Sequence, residues 1–188
     1  VLEKLIQPLG KKAGAPSRGS VLKGIFVIAN LGSELYRFDE TGEEYLIRSR
    51  EFSAQENLLV QKTIADFFAQ RQMSGLKMTF YSAPGHESIY FESQNPQTDV
   101  RALVKDVFGQ FSAYLYSKNI SLNLSLGEKG IHLSAQNKGE ALRALLQDIN
   151  REGAVVDSRD ILALVDQTAV APDGVDASIA RVFSDMPV

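Results

Sequence analysis

The stretch SIYFESQNPQTDVRALVKDV, residues Ser88–Val107, lies in register with GIHLSAQNKGEALRALLQDI, Gly130–Ile149, forty-two residues further on. Seven of the twenty positions are identical: Ile89/Ile131, Gln94/Gln136, Asn95/Asn137, Arg101/Arg143, Ala102/Ala144, Leu103/Leu145 and Asp106/Asp148. The matches keep three kinds of position together: an apolar strand face, a helix-capping Asn and a helical apolar stripe. The pattern predicts a strand–strand–helix unit used at least twice.

Each copy is preceded by an alternating partner strand. LKMTFYSA (Leu76–Ala83) puts Met78 and Phe80 on one face and Lys77, Thr79 and Tyr81 on the other. ISLNLSL sorts Leu122, Leu124 and Leu126 from Ser121, Asn123 and Ser125 in the same way. The turns are read as PGHE, which would place His86 in a turn, and as GEKG. Asn95 followed by Pro96 predicts the start of one helix, and Asn137 with Glu140 the start of another. Loss of either Asn is expected to cost about 1 kcal/mol.

Upstream, GIFVIAN, ELYRFD and EYLIRS read as three strands. Ser53 and Glu56 form a capping box for a helix carrying Val60, Ile64, Phe67 and Phe68, expected to run to about Met73 and to end near Gly75. This unit shares the order of the later two but few of their residues. Downstream, AVV (154–156) reads as a short strand or turn, Asp157 as the cap of a helix through SRDILALVDQ, and VDASIARVFSDM as a helix with Val175, Ile179, Val182, Phe183 and Met186 on one face.

The expected fold is α+β. Three consecutive hairpin-like units would build an antiparallel sheet, with helices layered on one face and short C-terminal helices beyond. Residues 1–23 are expected to be a short helix and a flexible basic linker, 24–153 the repeat domain, and 154–188 a helical tail packed on that domain or on a partner. A hairpin–helix unit recurs on many unrelated folds, so it singles out no family.

Charge is uneven. The net charge is −3, but residues 1–24 hold five cations against one acid, whereas 151–188 hold seven acids against three arginines. Lys11, Lys12 and Arg18 in the lead segment could touch phosphates. Cysteine is absent and histidine occurs twice, which excludes thiolate chemistry, disulfides and multi-histidine metal sites. No apolar run reaches membrane-spanning length. These features fit a cytoplasmic setting.

No phosphate-loop, dinucleotide, zinc-protease or nucleophile-elbow motif occurs. GAPSRGS has phosphate-loop glycine spacing but lacks the lysine and the preceding strand. No cofactor or metal is expected. A Ser–His pair can be drawn from Ser125 or Ser134 to His132 with Glu92 as orienter, but face-sharing alone supports it. His132 is expected to be an exposed strand residue, dispensable for folding.

The leading expectation is therefore a non-enzymatic scaffold or adaptor domain of a larger bacterial assembly, with protein partners and self-association left open. Its candidate interaction surface is Tyr81, Tyr90, His132, Phe183, Lys11, Lys12 and Arg18. The alternatives are a nucleic-acid-binding accessory domain, stacking bases on the tyrosines, and a hydrolase using His132.

Overall fold

Antiparallel pairing turns the alternation into strands almost residue for residue. The computed structural model describes residues 25–71, 76–151 and 177–185. Strands β1 (Phe26–Ala29), β2 (Glu34–Phe38) and β3 (Glu44–Ser49) form a three-stranded sheet in that order. Strands β4 (Leu76–Ala83), β5 (His86–Ser93), β6 (Asn123–Leu126) and β7 (Gly130–Ser134) form a second sheet, ordered β4-β5-β7-β6. The helices are α1 (Ala54–Ala69), α2 (Val100–Ser117), α3 (Lys138–Arg151) and α4 (Ala177–Asp185). The fold is α+β, as the sequence predicts.

The strands divide between two sheets rather than joining in one. The reason lies in where their apolar residues go. Ile89, Phe91, Ile131 and Leu133 of the larger sheet are buried with Val60, Ile64 and Phe67 of α1 and Val104, Val107, Phe111 and Leu115 of α2. At its centre the Phe67 and Phe111 rings lie 4.6 Å apart, tilted at 44°. Each such buried side chain contributes about 1.5–3 kcal/mol of transfer free energy. Leu35 of the smaller sheet instead joins Leu142 and Leu145 of α3 and Ile179 and Val182 of α4. The helix after the last hairpin thus crosses over to the first sheet, and the helix after the first sheet covers the second. Phe183 packs against this second core. It is partly buried there.

The repeat has a geometric consequence. Ile89 pairs with Ile131, its own repeat equivalent, so the two hairpins meet about a local pseudo-twofold axis through that pair. Ser88 then faces His132 and Tyr90 faces Gly130. On either side of the axis a ring-bearing residue lies opposite a small one.

Two glycines bring the sheets together. Gly32 (φ +107°) ends a one-turn 3-10 segment, and a Cβ there would lie 2.4 Å from the Asn137 carbonyl carbon. Gly85 (φ +75°) closes the β4–β5 turn, where a Cβ would lie 2.3 Å from the Arg50 carbonyl oxygen. Only glycine fits such approaches without strain. Because Pro84–Gly85 alone makes the turn, β5 starts at His86, and both His86 and Glu87 are buried strand residues rather than the expected turn residues.

The caps follow the sequence at two helices and depart from it at one. Ser53 and Glu56 form the capping box of α1, which is described to Ala69; Met73 and Gly75 lie outside the described residues. Asn137 Oδ1 accepts from the Glu140 amide at 2.9 Å, and Glu140 accepts from the Asn137 amide at 2.9 Å. Asn95 instead closes a local turn by accepting from the Gln97 amide at 3.0 Å, and α2 is capped by Asp99, which accepts from Ala102 at 3.0 Å. Asn side chains make such turns as readily as caps, and the turn wins here. The expected segments at 1–23, 154–167, Val175 and Met186 lie outside the described residues.

In urea unfolding, Asp99→Ala and Asn137→Ala should each cost about 1 kcal/mol, and Asn95→Ala less than about half of that.

Candidate functional site

The face of the larger sheet that α1 and α2 do not cover is polar. The register lays it out in rows across β4, β5, β7 and β6. Ala83, His86, Ser134 and Asn123 make one row; Tyr81, Ser88, His132 and Ser125 the next; Thr79, Tyr90 and Gly130 the third; Lys77 and Glu92 the last. Lys77 and Glu92 form an exposed ion pair at 3.2 Å.

The middle of this face is dry. His132, expected to be exposed, is only 9% accessible, and Ser88 and Ser134 are buried with it. His132 Nδ1 and Ser88 Oγ share a hydrogen bond of 2.8 Å. The β6–β7 turn lies beside the other nitrogen: a Cβ on Gly127 would lie 2.3 Å from Nε2. Burial first, and the neighbouring His86 second, push the His132 pKa down to about 4. The imidazole is therefore neutral at pH 7. The serine partner is Ser88; Ser125 and Ser134, proposed from face-sharing, do not take that role, and Glu92 is paired with Lys77. One nitrogen is thus engaged by a buried serine, and the other lies beside the β6–β7 turn. The burial of His132 corrects the expectation of an exposed strand residue.

His86 is buried at the edge of the same face, beside the turn that carries Ser33 and Glu34. Burial lowers its pKa, while Glu87 and Glu34 oppose that shift. Its Nδ1 has no hydrogen-bond partner among the described residues. Glu34 is held by the Tyr36 hydroxyl at 2.7 Å, and this hydrogen bond raises the Tyr36 pKa. Asn123 accepts from Asn137 Nδ2 at 3.0 Å, which ties the face to the N-terminus of α3.

Two tyrosines rise from this floor, and each is backed by an imidazole. The Tyr81 ring lies 5.5 Å from His86, and the Tyr90 ring lies 5.7 Å from His132, edge-on at 74°. Tyr90 also lies over Gly130, where a Cβ would come within 3.0 Å of its Cδ1. Tyr81 is 53% exposed and Tyr90 40%, so both present a ring to solvent from a fixed base. Lys11, Lys12 and Arg18 lie outside the described residues. Sequence reasoning found the tyrosines, placed His86 in the turn rather than the strand, and missed Ser88 and Gly130. The signal lay in the repeat register, which places Ser88 and Gly130 opposite rings.

Among the described residues, no cluster of three His, Asp or Glu side chains is arranged to hold a metal ion, and no helix is long and apolar enough to cross a membrane.

No family model and no curated protein sequence matches the chain. Solved structures do. An IMP-bound, N-terminally truncated Plasmodium falciparum IMP-nucleotidase superposes with a TM-score of 0.65 at 15% identity, over 98% of this chain and 48% of that one. An IMP-bound point mutant of the same enzyme gives 0.64 at 16% identity, over 96% and 48%. A C-terminally truncated form gives 0.56 at 14% identity, over 97% and 56%. The chain folds like part of an IMP-nucleotidase. It spans about half the length of the chains it matches. This likeness overturns the expectation of a non-enzymatic scaffold or adaptor, because the matching structures carrying the fold belong to a hydrolase.

His132 makes stability depend on pH. Its folded pKa is depressed below the ordinary 6.5, so its contribution is full above about 6.5 and is lost as pH falls through about 4. Between pH 7.5 and pH 5 the unfolding free energy should drop by about 2 kcal/mol from this residue alone. A His132→Gln variant should lack that portion of the dependence, as read by urea titrations at the two pH values.

Proposed function

We propose that the chain is the substrate-binding portion of a nucleotidase-like hydrolase, acting on a nucleoside monophosphate. The observation that carries this reading is the likeness to IMP-bound nucleotidase structures over 98% of the chain. The open sheet face fits the role. Tyr81 and Tyr90 offer two fixed π surfaces for a purine base, each worth roughly 1–3 kcal/mol when a base stacks on it. Thr79 and Ser125, on the same face, offer hydroxyls to a ribose. The neutral Ser88–His132 pair holds the platform and does not attack the phosphate. A cytoplasmic setting is proposed alongside, on the absence of cysteine.

Binding of IMP to the protein, read by isothermal titration calorimetry, tests the reading. Tyr90→Ala should raise the Kd for IMP by about fivefold or more. No binding of any nucleoside monophosphate would sink the proposal. So would binding that neither Tyr81→Ala nor Tyr90→Ala alters.

A further inference from the structure

On the other side of the β4–β5 turn lies a cavity of about 280 Å³. Glu51 and Phe52 of the β3–α1 connection line it, with Asn57 of α1, Ser82–Gly85 of the turn, and Glu87 of β5. It is separate from the tyrosine platform, because Glu87 shares the core-facing side of β5 with Ile89 and Phe91.

Glu87 is only 5% exposed. Its Oε1 accepts from Gln61 Nε2 at 2.8 Å and from Ser82 Oγ at 2.7 Å. Both donors are neutral. Its Oε2 has no partner among the described residues, yet it is not sealed off from solvent. Arg50, beside Glu51 in the chain, gives its guanidinium to Glu56 at 2.7 Å. A carboxylate this deeply buried is costly without an opposite charge. The neutral donors fix one oxygen and leave the other to the cavity, where Glu51 adds a second carboxylate.

We propose that this cavity binds an organic cation bearing N–H donors, an ammonium or guanidinium group, through Glu87 Oε2. Two lining carboxylates repel an anion. A guanidinium or ammonium supplies both the missing charge and the missing donor, and such charge-assisted bonds are the strong ones. The walls are preformed, since Gly85 is pressed against the Arg50 carbonyl and leaves the turn little room to shift. The proposal is independent of the nucleotidase-like reading.

The test is an NMR titration of the ¹⁵N-labelled protein with methylguanidinium and ethylammonium, with tetramethylammonium as a cation lacking N–H. Saturable shifts at Ser82, Gly85 and the Gln61 side-chain amide are expected with the first two and not with the third. Glu87→Gln should weaken the response by about tenfold or more. Absence of saturable shifts would overturn the proposal, as would equal shifts with tetramethylammonium or an unchanged response in a folded Glu87→Gln. Should that variant fail to fold, the wild-type comparison of the three cations decides.

Discussion

The pairing of Ile89 with Ile131 is the constraint on which the larger sheet depends. Antiparallel strands have a side-chain period of two, so one fixed pair determines the face of every other residue. With these isoleucines opposite each other in the core, Phe91 and Leu133 must also point at α1 and α2. Ser88, Tyr90, Gly130 and His132 must point away from them. A slip of one residue would put His132 into the aromatic core and Ile131 into the polar face. Neither position could satisfy its new occupant.

The same constraint shapes the polar face. Because the axis relates the two copies, the Tyr of one unit and the His of the other become neighbours across the seam, 5.7 Å apart. Each lies opposite a small residue, which leaves room for the ring to lie down on the sheet. The Gly32 and Gly85 contacts bring the smaller sheet against one end of this surface and the N-terminus of α3. The result is a face with a dry, neutral floor and two exposed rings above it.

Much of this was legible in the residues. The alternation in LKMTFYSA located β4 to the residue, the hairpin return EYLIRS located β3, and the Ser53–Glu56 and Asn137–Glu140 pairs located two caps. These are local signals, carried by periodicity and by one hydrogen bond. The split into two sheets was not legible, because it depends on which helix covers which sheet, and α1 and α3 exchange places. The burial of His132 was hidden for a related reason. A lone strand histidine looks exposed until Ser88 and the Gly127 turn are seen beside it. The tyrosines were recognised as a surface, but the likeness of the fold to nucleotidase structures became visible only through comparison of whole structures.

The most direct measurement of the seam is the titration of the two histidine rings by long-range ¹H–¹⁵N NMR. The account predicts that His132 stays neutral at pH 6 and titrates near 4, with its Nδ1 resonance displaced by the Ser88 hydrogen bond and restored in Ser88→Ala. A His132 that titrates near its ordinary 6.5, indifferent to Ser88, would show that the seam is open to water and would contradict the account.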